Sequence, residues 1–250
     1  MSKPQVEEFG WTAVPRNRSN MPSESSAKTT PVPVNFDSIW PKTNVVKQAQ
    51  EHVKKILPTQ TYNHSLRVYC YGHTLVSQHF PEWIAASKSD FFETWALTCL
   101  YHDIATTDEH RGDTHMSFEW HGGFMALQEL QSFGAPRAQA ESVCEAIIRH
   151  QDPGETGTIS RMGQLVQIAT EFGELLFVLL DGVRSLLANR QTDWECRQHG
   201  LAGTPRSRGR DQASCRAAPS LEMVRLFLEG YQGGDRGMFA SKPIRLEGFR

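Results

Sequence analysis

FFETWALTCLYHD, running from Phe91 to Asp103, decides how the chain is read. It is mostly apolar and lacks the strict alternation of a half-buried strand. Ser89 and Asp90 just before it can cap a helix by accepting bonds from free backbone N–H groups. The stretch therefore reads as a buried helix that ends on a His-Asp pair.

The same signals continue on both sides. Val45, Val46, Ala49, Val53 and Ile56 follow the three-and-four spacing of a buried helix face, and Pro58 ends that run. A further helix is expected from about Tyr62 to Phe80. Downstream, Ser117 to Phe133 reads as a helix closed by Gly134, where a left-handed cap costs little. Pro136 opens another that ends near His150. PGETGT is a turn before a last helix from about Ser160. No stretch alternates long enough for a strand and no repeat is present, so the fold class is all-α.

The flanks differ in composition. Residues 1–43, rich in Pro, Ser and Asn, read as a largely extended arm whose Trp11, Phe36 and Trp40 can dock on the core. Residues 44–187 hold the helical domain. Residues 188–250, full of Gly, Pro, Ser and Arg, read as a poorly ordered tail. LLFVLLDGVRSLL and SLEMVRLFLEGY are two additional helical possibilities.

The chain has 250 residues, 39% hydrophobic and 22% charged, with a formal net charge of −2. That balance gives no reason to expect nucleic acid or an anionic membrane as partner. Leu175 to Leu180, the longest strongly apolar run, is far short of the ~20 residues of a membrane span. With no secretory signal at the N-terminus, the expected location is cytoplasmic. Five cysteines at irregular spacings contain no C-x-x-C pair, which fits reduced thiols.

His102 and Asp103 carry the chemistry, with His64 upstream. Neighbouring helix residues point ~100° apart, so both reach one metal only if it sits beside the pair, in a pocket between helices. Imidazole and carboxylate suit zinc or iron, and few protein ligands leave room for a water that the metal acidifies. His150, at a helix end in EAIIRHQD, is either an acid/base group or a cation favoured by the helix dipole. His73, His79, His110, His115, His121 and His199 share no spacing and read as surface or packing residues.

NHSLRVYCYG (Asn63 to Gly72), CLYHDIATTDEH (Cys99 to His110), MSFEWHGG (Met116 to Gly123), EAIIRHQD (Glu145 to Asp152) and GQLVQIAT (Gly163 to Thr170) stand in one order. Together they resemble the fungal cyanamide hydratases of the HD-domain superfamily, over about residues 40–172. The resemblance implies an HD-domain helical bundle, a zinc ion and the addition of water to cyanamide to give urea. It places His64, His102 and Asp103 as metal ligands and His150 and Thr170 at the substrate, with Asp103 also positioning water. It implies a small nitrile as substrate, a pocket narrowed by Tyr101, Phe118 and Trp120, and a possible homo-oligomer. Two other readings stay open: an HD phosphohydrolase, with Arg67 and Arg149 as candidate phosphate contacts, and a non-catalytic HD-fold product.

The family carries an aspartate after two further residues beyond the QIAT segment, and this chain has Gly173 there. Glu174 and Asp181 are nearby carboxylates, but one helical turn moves a residue ~5.4 Å along the axis. An unspliced intron or shifted frame near Glu171–Phe172 produces such an abrupt change.

Overall fold

The computed structural model of the chain describes residues 3–17, 35–84, 88–112, 114–152 and 154–173. The expectations for the tail from 188, for the two additional helical segments and for Glu174 and Asp181 lie outside the described residues. Within them the fold is all-α, with one two-stranded ribbon.

Helix α1 (Lys3–Glu8) and strand β1 (Ala13–Pro15) come from the arm, as does the short α2 (Phe36–Ile39). The described parts of this arm are thus not extended throughout. They are held in part by Trp11, Phe36 and Trp40, the aromatics expected to dock. Trp11 Nε1 donates to Ala138 O at 2.9 Å, and Ser142 Oγ donates to Phe9 O at 2.6 Å. Phe36 stacks on Trp40, and Trp40 meets Tyr69 edge-on.

Helix α3 (Asn44–Ile56) starts where Thr43 accepts a bond from the Val46 N–H. Val46, Ala49 and Val53 form its fully buried face, as their spacing predicts. Helix α4 (Thr59–His79) begins a turn earlier than Tyr62, directly after Pro58, whose φ of −52° already suits a helix entry. Helix α5 (Lys88–Tyr101) likewise begins before the expected cap. Asp90 lies in its first turn, where a carboxylate faces the positive end of the helix, and its carbonyl accepts from Thr94 Oγ1.

Helix α6 (Asp108–Gly112) is short; α7 (Phe118–Ser132) and α8 (Arg137–Arg149) form the next layer. Gly134, at φ +93°, closes α7 in the left-handed conformation that glycine adopts cheaply. Gly123 lets α7 and α8 approach closely, since a Cβ there would come 2.8 Å from Ile148 Cγ1 and 3.2 Å from Cys144 O.

Residues 158–160 form β2 (Thr158–Ser160), which pairs antiparallel with β1 through Val14 and Ile159. Three-residue strands carry too little alternation to be seen in sequence. Ser160 then accepts from the Gly163 N–H and opens α9, residues 161–173. The core lies between α4, α5, α8 and α9, around Trp95, Tyr69, Leu100, Ile147 and Leu165. Its stability comes from burying these side chains, since individual helices of this length are marginal in water. No helix among the described residues is long and apolar enough to cross a membrane.

Candidate metal centre

Three helices deliver the site. α4 carries His64, α5 ends at Tyr101 just before His102 and Asp103, and α8 ends just before His150. The His102 N–H still bonds to Thr98 O at 3.0 Å, but Asp103 has left the helix at φ −110° and ψ 13°. This departure removes the ~100° divergence that a continuing helix would impose. Thr106 fixes the turn by donating both its N–H and its hydroxyl to Asp103 O.

Asp103 Oδ2 lies 3.2 Å from His102 Nε2 and 3.8 Å from His64 Nε2, and its Oδ1 lies 4.0 Å from His150 Nε2. His64, His102 and Asp103 each turn one ligand atom to a common point, all within 4.8 Å of one another. His102 Nδ1 lies 2.8 Å from Cys99 O, and His150 Nδ1 lies 2.7 Å from Ile147 O. A carbonyl only accepts, so both Nδ1 atoms carry the proton and donate it. In the neutral rings both Nε2 lone pairs then face the carboxylate. Acceptors facing each other in a buried pocket call for a cation between them, a proton or a metal ion. This donor set fits a divalent metal.

Burial lowers the His64 and His150 imidazoles from 6.5 to about 4, and the His102 charge adds to the effect. Both are neutral near pH 7, as ligation or proton acceptance requires. Burial pushes the Asp103 carboxyl upward, but His102, His64 and His150 together more than offset this and leave it well below the usual carboxylate range. It stays ionised.

A stability prediction follows from the lowered histidines. Between pH 6.5 and about 4 the unfolded chain binds protons at His64 and His150 that the folded chain does not. Their contribution is therefore fully present above pH 6.5 and is lost as pH falls through that window, on the order of a few kcal/mol in total. Urea titrations of metal-free protein should show the midpoint falling on acidification, with little change in slope. A rising midpoint would contradict this.

Thr170 is buried in α9, where its hydroxyl donates to Val166 O at 2.8 Å and lies 3.2 Å from Gln167 O. Its proton is thus used within its own helix. Phe118 lies against His150, with ring centroids 5.6 Å apart. The other two aromatics expected to narrow the pocket make other contacts. Tyr101 is fully buried and donates to Glu129, while Trp120 is half exposed beside Phe124. Sequence reading also missed the contact of His110 with His121, whose rings lie 5.9 Å apart. No spacing rule marks it, because the two residues come from different helices. An ideal Cβ on Gly173 would lie 3.7 Å from His64 Cε1 and 3.4 Å from Tyr71 Cε2, so this position borders the site.

Comparison with known proteins agrees with this geometry, for residues 61–181 match the HD domain family. Over that stretch the chain is similar to HD-domain proteins. It is 39% identical over 131 residues to Cyanamide hydratase DDI2 and to Cyanamide hydratase DDI3 of Saccharomyces cerevisiae. The match covers 52% of this chain and 56% of each relative, so the chain spans about half the length of the curated relatives it matches. The sequence resemblance to cyanamide hydratase-like HD proteins is supported by both comparisons. His102 and Asp103 lie within the matched residues.

Proposed function

We propose that this chain is a metal-dependent HD-type hydratase that adds water to cyanamide, or a similarly small nitrile, to give urea. The observation that carries the reading is the convergence of His64, His102 and Asp103 on one point, in a chain whose relatives are named cyanamide hydratases. His64 and His102 would hold the ion through Nε2 and Asp103 through a carboxylate oxygen. Zinc is the expected metal, and iron suits the same donors. When bound, such an ion supplies Lewis acidity and a more acidic water at neutral pH.

The residues of the chain then move the protons. His150 is neutral near pH 7, and its Nε2 faces the site, so it accepts a proton from the attacking water as the new C–O bond forms. It returns that proton to the nitrile nitrogen, on which the opened π pair collects. The first product is the isourea form, and a shift of the hydroxyl proton to nitrogen gives urea. Phe118 packs on the His150 ring and keeps bulk water from that side. Thr170 has its own proton engaged and can only accept, which suits the amino group of cyanamide.

A phosphate ester would need cations around the metal. Arg149 is paired with Glu145 and Asp152, which leaves Arg67, whose charge reaches His64, as the one candidate phosphate contact of the two. The nitrile fits this setting better.

The deciding assay incubates the full chain with zinc and cyanamide and measures urea. Urea formation that chelation abolishes and zinc restores is the expected result. A zinc-loaded, folded chain that makes no urea would overturn the substrate assignment. His150→Gln should lower kcat about 100-fold while leaving metal content unchanged. A parallel loss of metal would instead make His150 a ligand.

A further inference from the structure

We propose that Gln167 and Arg16 are positioning residues for His150, which they fix by holding the backbone carbonyls on either side of it. The inference rests on the reading of His150 as the group that moves the protons. α8 ends at Arg149, and the last turn of a helix leaves carbonyls without an intrahelical partner. A frayed last turn would carry His150 with it, because this residue caps the helix and its Nδ1 is held by Ile147 O from that same turn.

Two side chains from outside the helix close this turn. Gln167, buried in α9, donates from Nε2 to Arg149 O at 2.7 Å and to Asp152 O at 3.1 Å. One amide thus bridges the residue before His150 and the residue two beyond it. Arg16, which follows β1, donates from Nη2 to the same Asp152 O at 2.7 Å and pairs with the Asp152 carboxylate at 3.0 Å. The ribbon places Arg16 in turn, since its N–H bonds to Gly157 O at 3.1 Å. Gly154 makes room for the guanidinium: a Cβ there would come 2.5 Å from Arg16 Cζ. Both partners act on the main chain, and their effect on the reaction runs through the place of His150 Nε2, which lies 4.0 Å from Asp103 Oδ1. A displacement on the order of 1 Å at a reacting group can cost about 100-fold in rate. Through Arg16 the N-terminal arm takes part in the site.

The test uses the full chain, zinc-loaded with cyanamide for kinetics and metal-free for spectroscopy. Gln167→Glu keeps the size of the side chain but replaces the donor with an acceptor. The expected result is a kcat about tenfold or more lower, with KM within about twofold and zinc content unchanged. The same change in a His150→Gln background should lower kcat no further, since a residue that acts only through His150 has nothing left to position. Arg16→Gln should show the same pattern with a smaller loss. Arg16→Lys keeps the charge and can reach one of the two acceptors, so it should recover part of that loss. In metal-free protein the His150 Nδ1–H, followed by NMR, should exchange with solvent about tenfold or more faster in Gln167→Glu than in the parent.

An unchanged kcat overturns the proposal, as does an equal fall in the His150→Gln background or a loss of kcat with an unchanged exchange rate. If the parent makes no urea, the hydratase reading fails and the exchange rate alone decides. Faster exchange in both Gln167→Glu and Arg16→Gln then supports the positioning, and an unchanged rate overturns it. If Gln167→Glu does not fold, Arg16→Gln carries the same three readouts.

Discussion

Replacing His102 with alanine is expected to remove metal from the protein and reduce urea formation to background. The reason is the position of this ring. His102 is buried, its Nδ1 is fixed on Cys99 O, and its Nε2 stands 3.2 Å from Asp103 Oδ2, so the ring is held in place to ligate. Four-ligand structural zinc sites are worth about 10–16 kcal/mol, or about 3 kcal/mol per ligand, which is a factor on the order of 100 in metal affinity. A site with three protein ligands has no reserve against that loss. Metal content after dialysis and urea release should fall together. His115→Ala, a change at an exposed histidine, should alter neither. If His102→Ala kept its metal and its activity, the centre would have to lie elsewhere.

The second large effect is expected far from the chemistry, at Gly72. A Cβ at this position would fall 2.1 Å from Trp95 Cζ2 and 2.5 Å from Cε2, well inside any possible contact. The indole cannot retreat. It is fully buried and held by a 3.1 Å bond from its Nε1 to Tyr69 O, one turn from the glycine itself. Alanine recovers about 1 kcal/mol through helix propensity, while overpacking a rigid core costs about 1–3 kcal/mol and sometimes more. The depth of this overlap puts the cost at the upper end, so Gly72→Ala should destabilise the fold by about 2 kcal/mol or more. A lowered urea midpoint would show it. Trp95→Leu removes the clashing atoms, so the double variant should lose less stability than the sum of the two single changes. Strict additivity would mean that α4 and α5 do not meet at this glycine.

Much of this fold was legible residue by residue. The buried face of α3, the Ser117 and Gly134 ends of α7 and the Pro136 entry to α8 were all expected, because caps and apolar spacing act within a turn or two. The first turns of α4 and α5 were placed late, since Pro58 permits helix immediately and Lys88 precedes the polar pair taken as the cap. The ribbon of β1 and β2 was missed. Its pairing joins residues more than a hundred positions apart, and that partner choice leaves no periodic trace in either segment.

For the site the division is sharper. The sequence by itself determined the candidates: a His-Asp pair closing an apolar helix, His64 upstream, His150 at a helix end and a glycine where the resembling family carries an aspartate. These are matters of residue type and short-range spacing. Only the tertiary structure decided that Asp103 leaves the helix and faces three imidazoles, that Phe118 and not Tyr101 or Trp120 lies against His150, and that Gly173 borders His64. Those relations depend on how α4, α5, α8 and α9 are brought together by the packing of their buried faces, and no single segment carries that information.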